Sequence, residues 1–88
     1  MSSATMNEVS TKIRNILRDH GRLSTPADQL AEDADLYQAG MTSHASVNVM
    51  LALEGAFDVE FPDAMLKRSA FESIAAIRSA IEQLTSAR

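Results

Sequence analysis

Ile74, Ile77, Ile81 and Leu84 stand three, four and three residues apart, the spacing that stacks side chains on one face of an α-helix. Val9, Ile13, Ile16, Leu17 and His20 carry the same period near the other end of the chain. A third run, Ser43 to Phe57, is denser. There Val47, Met50, Leu51, Glu54 and Phe57 keep helical spacing, and Val49, Leu53 and Ala56 widen the apolar face. "FDVEF", Phe57 to Phe61, alternates as a strand would, but it has no second strand to pair with. The pattern therefore predicts an all-α bundle in one domain spanning residues 1–88. Three longer helices are expected at Met6–His20, Ser43–Phe57 and Ser73–Leu84, with a short one at Asp63–Lys67 opened by Pro62.

Local signals mark the ends of these elements. Gly21 is read as the C′ stop of the first helix. Thr42 is read as the N-cap of the second, and "SAFE", Ser69 to Glu72, as a capping box before the last. Gly55 is out of place near the end of a helix, where it costs up to about 1 kcal/mol against alanine. Residues 1–5 are small and polar and are expected to fray. Residues 22–42 show no sustained period, so a long loop joins the first two helices, anchored by Leu23, Leu30, Leu36 and Tyr37. The expected core is Val9, Ile13, Ile16, Leu17, Leu30, Leu36, Val47, Met50, Leu51, Phe57, Phe61, Leu66, Phe71, Ile74, Ile77 and Ile81.

A chain of 88 residues has a modest core. It is too short to wall in a substrate cavity, which favours a binding or carrier module over a self-sufficient enzyme. It has no cysteine, hence no disulfide framework and no thiolate metal site; any thiol chemistry is imported. "MSSATMNEVS" has neither a basic nor an apolar leader region, and no apolar run approaches the roughly 20 residues of a membrane span. A cytoplasmic protein without a membrane partner is expected. Charge is unevenly spread. Residues 1–27 carry a net +2, residues 28–63 carry −8 with no lysine or arginine, and residues 64–88 carry +2. The acidic middle either attracts a basic partner or is simply a solvated face.

Several motifs fail on inspection. Ser43 and His44 are neighbours, and neighbours on a helix point about 100° apart, so they do not form a nucleophile and its base. "DADLYQAGMTSH", Asp33 to His44, resembles a calcium loop at its first and third positions. It has Gln38 where glycine is invariant and His44 where a bidentate glutamate is required. His20 and His44 are not spaced for zinc. The helix after Ser43 has no lysine or arginine, which excludes a nucleic-acid recognition helix. What remains is the step "GMTSH". Taken alone, its hydroxyls read as ordinary helix-start residues, and the wider context shifts that balance. A serine in the first turn sits where unsatisfied N–H groups favour a phosphate, and Gly40 lets the chain turn sharply before it.

"DLYQAGMTSHASVNVMLALEGAFDVEFPDAML", followed by "SIAAI", resembles the acyl carrier protein family with its peptidyl and aminoacyl relatives. The shared order is an acidic-Leu-aromatic lead-in, Gly-hydrophobic-x-Ser, an apolar helix closing on Leu-Glu-x-x-Phe, an acidic segment and a last helix; it covers about Val9 to Leu84. The resemblance implies that Ser43 carries 4′-phosphopantetheine as a phosphodiester, attached from coenzyme A by a holo-carrier-protein synthase, and that catalysis belongs to partners. Thr42 and His44 depart from the Asp-Ser-Leu common in fatty-acid carriers. The Gly-Met-Thr-Ser-His step looks more like the bacterial aminoacyl carrier proteins. Those are loaded with glycine or alanine by an amino acid:[carrier protein] ligase similar to class II aminoacyl-tRNA synthetases, and pass their cargo to a downstream acceptor. A carrier of fatty-acid or polyketide chains, and an unmodified helical adaptor using its acidic middle, are the competing readings.

Overall fold

Nothing from residue 2 to residue 20 interrupts a helix, since that stretch contains neither glycine nor proline. In the computed structural model, which describes residues 2–86 and side chains from residue 8 onward, helix α1 accordingly runs Ser2–His20. It starts four residues before the expected Met6 and takes in most of the segment expected to fray; Met1 lies outside the described residues. The stop also differs from expectation. The left-handed residue is Arg22, at φ 54°, rather than Gly21. Glycine is needed at 21 for another reason. Its N–H bonds the Leu17 carbonyl at 2.8 Å, and a Cβ there would lie 2.8 Å from that same oxygen.

The aperiodic segment is ordered by bonds rather than by period. One 3-10 turn, Ala27–Gln29, interrupts it. Arg14 of α1 donates to the carbonyls of Ala27 and Leu30 at 2.6 and 2.8 Å. Further along, the Leu36 N–H bonds the Glu72 carbonyl at 2.7 Å, and the Glu32 carbonyl accepts from Ala75 at 2.9 Å. Both backbone and hydroxyl of Ser24 donate to the Ala39 carbonyl at 2.8 Å. Of the expected anchors, Leu36 is fully buried, while Leu23, Leu30 and Tyr37 pack at the edge of the core. Met41, outside the expected core, is buried as well.

Helix α2 spans Ser43–Phe57 as expected, capped by Thr42. Its buried face does not match expectation. Ala45, Val49 and Leu53 point into the core, whereas Val47 and Leu51 are 50% and 56% exposed. Chain reversal follows at Asp58, left-handed at φ 54°. "FDVEF" forms no strand: the Phe61 N–H bonds the Glu54 carboxylate at 2.9 Å. The expected short helix at Asp63–Lys67 is a 3-10 turn, Asp63–Met65, with Pro62 as its N-cap, and a second 3-10 turn covers Arg68–Phe71. Ser69 therefore sits inside that turn and caps nothing. Ser73 does the capping, its hydroxyl accepting from the Ala76 N–H at 3.0 Å. Helix α3 then runs Ile74–Ser86.

Helix α1 packs against both other helices. Ile13 and Leu17 of α1, Val49 and Leu53 of α2, Ile74, Ile77 and Ile81 of α3, and Leu36 of the loop are sealed from solvent. Each contributes about 1.5–3 kcal/mol by leaving water. Phe61 and Phe71 close one end, ring centroids 5.3 Å apart and planes tilted by 58°, within the range aromatic pairs favour. Leu66, expected in the core, is 45% exposed.

Candidate functional site

The start of α2 is built from three hydroxyl residues, and they are not equivalent. Thr42 has extended backbone, φ −85° and ψ 167°, and its Oγ1 accepts the Ala45 N–H at 3.0 Å. That bond satisfies one of the donors a helix start leaves open. Ser46, one turn on, donates its hydroxyl to the Ser43 carbonyl at 2.6 Å. Ser43 lies between them, exposed, in the first helical position. Among the described residues nothing bonds its Oγ. Two of the three hydroxyls are thus occupied in holding the helix, and the third is free.

Gly40 explains how this start is presented. It takes φ +117°, a conformation open to glycine and costly to other residues. A side chain there would also press on Ser24, whose backbone nitrogen would be 3.0 Å from its Cβ. The turn is tightened by the Met41 N–H bonding the Leu36 carbonyl at 3.0 Å. Met41 is thereby buried while Thr42, Ser43 and His44 emerge together at the surface.

Beside Ser43 opens a groove of about 380 Å³. Val47 and Met50 of α2 line it, as do Leu66 and Phe71 of the 3-10 segment and Tyr37 of the long loop. The two side chains that α2 exposes against expectation thus have different roles. Val47 is a groove wall, whereas Leu51 faces solvent outside it. Lys67 and Arg68 also line the groove. Arg68 lies over the Tyr37 ring, its guanidinium carbon 3.8 Å from the centroid, and the Tyr37 hydroxyl donates to the Arg68 carbonyl at 3.4 Å.

The acidic middle segment is partly consumed by the fold. Glu32 pairs with Arg78 and accepts from the Ser10 hydroxyl. Asp35 accepts from the N–H groups of Tyr37 and Gln38, and Glu54 is held by Phe61. Glu54 is the lone acid of α2, so the helix that begins at Ser43 presents no free carboxylate. A docking face read by charge, as the adaptor reading requires, does not lie on this helix.

A free hydroxyl at a helix start, fixed by its neighbours and bordered by an apolar groove with cationic residues, fits a bulky anionic group esterified to Ser43. Donor N–H groups of the first turn favour the phosphate, and the groove offers apolar surface to whatever extends from it. The sequence matches the model of the phosphopantetheine attachment site over residues 8–81. It is 50% identical over 74 residues to the aminoacyl carrier protein of Agrobacterium fabrum, covering 84% of this chain and 89% of that one. Solved structures are similar as well, among them two complexes. Both hold carrier protein from Agrobacterium tumefaciens complexed with engineered Bradyrhizobium japonicum glycine:[carrier protein] ligase, one with AMP and one with ATP. The first matches at 51% identity and a TM-score of 0.81, covering 83% of this chain and 97% of that one. The second matches at 49% and 0.83, covering 86% and 99%. A match of this extent in both sequence and fold places the chain in the phosphopantetheine attachment family, as a homologue of the aminoacyl carrier proteins.

Proposed function

We propose that this chain is an aminoacyl carrier whose Ser43 hydroxyl is the attachment point of 4′-phosphopantetheine. The observation that carries the proposal is the division of labour at the start of α2. Thr42 caps and Ser46 braces, so Ser43 Oγ stays exposed and unbonded among the described residues. A holo-carrier-protein synthase, with coenzyme A as donor, is the partner that modifies it. The group supplies the thiol that this cysteine-free chain lacks, on which an amino acid is held as a thioester.

The chain's own residues do the positioning. Thr42 holds the first turn so that Ser43 projects outward, and the N–H groups of Ser43 and His44, with no helix carbonyl within reach, are left for the phosphate. The cargo is an amino acid of the glycine or alanine type. Its loading partner is an amino acid:[carrier protein] ligase, by homology with carriers solved in complex with a glycine ligase. The absence of a free carboxylate on α2 supports a partner other than the fatty-acid enzymes, which read acids on that helix. Activation and transfer then belong to the partners, with the chain itself contributing no catalytic group. A cytoplasmic setting suits such partners, and no helix among the described residues is long and apolar enough to cross a membrane.

Intact-mass spectrometry tests the proposal. Incubated with a phosphopantetheinyl transferase and coenzyme A, the wild-type chain gains the mass of one phosphopantetheine. The Ser43→Ala variant gains none while keeping its helical circular-dichroism spectrum. A wild-type mass that stays unchanged beside a modified control carrier defeats the reading. Incubation of the modified chain with the glycine ligase, ATP and single amino acids then identifies the cargo by its added mass.

A further inference from the structure

Lys67 and Arg68 line the same groove as Ser43, and they stand out for what surrounds them. No lysine or arginine occurs between Leu23 and Leu66. The groove is otherwise apolar or hydroxylic, with no carboxylate in its lining. Neither Lys67 nor Arg68 is in an ion pair among the described residues, unlike Arg18 with Asp19 and Arg78 with Glu32. Arg68 therefore has a partner for its face, the Tyr37 ring, and no anion for its edge. A guanidinium stacked on a ring keeps its in-plane N–H donors available. Its position is also restrained, because the Tyr37 hydroxyl holds the Arg68 carbonyl. A donor fork held beside apolar walls is arranged for an anion.

We infer that Arg68, braced by Tyr37, is a positioning residue that pairs with the phosphodiester carried on Ser43 and sets the arm along the groove walled by Val47, Leu66 and Phe71. Lys67 adds charge without orientation, since its ammonium is a point donor on a flexible stem. The inference rests on the carrier reading above, and it concerns direction rather than attachment. Arg68 is needed neither to expose Ser43 nor to esterify it. Its role is to decide whether the arm lies against the protein or swings free, and so how the thiol is presented to a ligase.

Nuclear magnetic resonance on the full chain tests this with a readout independent of activity. Wild type, Arg68→Gln, Arg68→Lys and Tyr37→Leu are each converted with coenzyme A and a transferase, and conversion is checked by mass. In wild type, conversion shifts the amide resonances of Val47, Leu66 and Phe71 and the Arg68 side-chain N–H. The phosphorus resonance differs from that of free phosphopantetheine. Arg68→Gln at least halves the amide shifts and moves the phosphorus resonance toward the free value. Arg68→Lys and Tyr37→Leu fall between, because each keeps the charge and loses the orientation. High salt on the wild-type chain reproduces the Arg68→Gln pattern without any substitution, which guards against a variant that merely repacks. Converted Arg68→Gln with shifts equal to wild type, or wild-type shifts indifferent to salt, overturns the inference and leaves the carrier reading intact. A wild-type chain that gains no mass overturns both.

Discussion

Glu32 shows how one residue can change meaning between sequence and structure. In the sequence it is one of eight acids in an uninterrupted acidic span. In the fold it joins three elements. Its carboxylate meets Arg78 of α3 and Ser10 of α1, and its carbonyl holds the start of α3 through Ala75. The Arg78 hydrogen bond, assisted by Ser10 and by the charges of Arg78 and Arg14, draws its pKa below the ordinary value of 4.5 against the opposing effect of burial. A depressed folded pKa means that the unfolded chain binds the proton more readily. The stabilisation is therefore fully present above about pH 4.5 and is lost as pH falls through the lower, folded value. Glu32→Gln is accordingly less stable than wild type at pH 7, and the gap in Tm narrows as the pH is taken below about 4.5 and through the lower, folded value. A gap that stays constant from neutral to acid, measured by thermal melts, would mean that the ion pair does not clamp the loop.

At the scale of elements, the glycines separate two kinds of helix signal. Gly55 lies in the exposed part of α2, and a Cβ added there meets nothing within 4 Å. Gly55→Ala removes a helix-interior glycine at no steric cost and raises stability by about 0.5–1 kcal/mol. Gly21→Ala does the reverse, because the new Cβ lands against the Leu17 carbonyl, a backbone atom that cannot step aside. Urea denaturation of the pair checks both signs. Both glycines stand out in the sequence, but their roles are not equally legible there. The cost of Gly55 is a local property of helices. The close approach at Gly21 depends on how tightly the last turn of α1 is wound, and the left-handed step one residue later, at Arg22, has no sequence signature of its own. The capping error has the same origin. "SAFE" satisfies the capping-box pattern, yet the chain spends those residues on a 3-10 turn and starts α3 from Ser73.

For the molecule as a whole, the eight sealed aliphatic side chains meet around one core, with α1 touching both partners. Ile77 is fully buried, and Ile77→Ala costs about 2–5 kcal/mol by lost transfer energy and a cavity. In a domain of typical stability, about 5–15 kcal/mol, that is a large share. Leu51→Ala, on a side chain 56% exposed, stays within about 0.5 kcal/mol. Chemical denaturation that finds the two equally damaging would mean that α2 buries the face expected from its spacing instead of the one described. The free serine belongs to this scale too. Its exposure depends on the Gly40 turn, the Thr42 cap and the burial of Met41 acting together.

The sequence by itself determined the three helices and the position of α2 to the residue, because these follow from spacing and end signals within one or two turns of chain; Ser43 stood out only through the family resemblance. It misplaced Val47 and Leu51 on α2, besides Leu66 after the 3-10 turn, and for α2 the reason is physical. α2 is apolar nearly all round, so its period points in no single direction, and local sequence cannot choose among faces of similar hydrophobicity. Only the tertiary structure chose. Packing of α1 against Ala45, Val49 and Leu53, with the long loop bonded across to α3, left the opposite face of α2 in solvent as the wall of a groove. That same packing brought Tyr37, Arg68 and Ser43, separated in the chain, to one place.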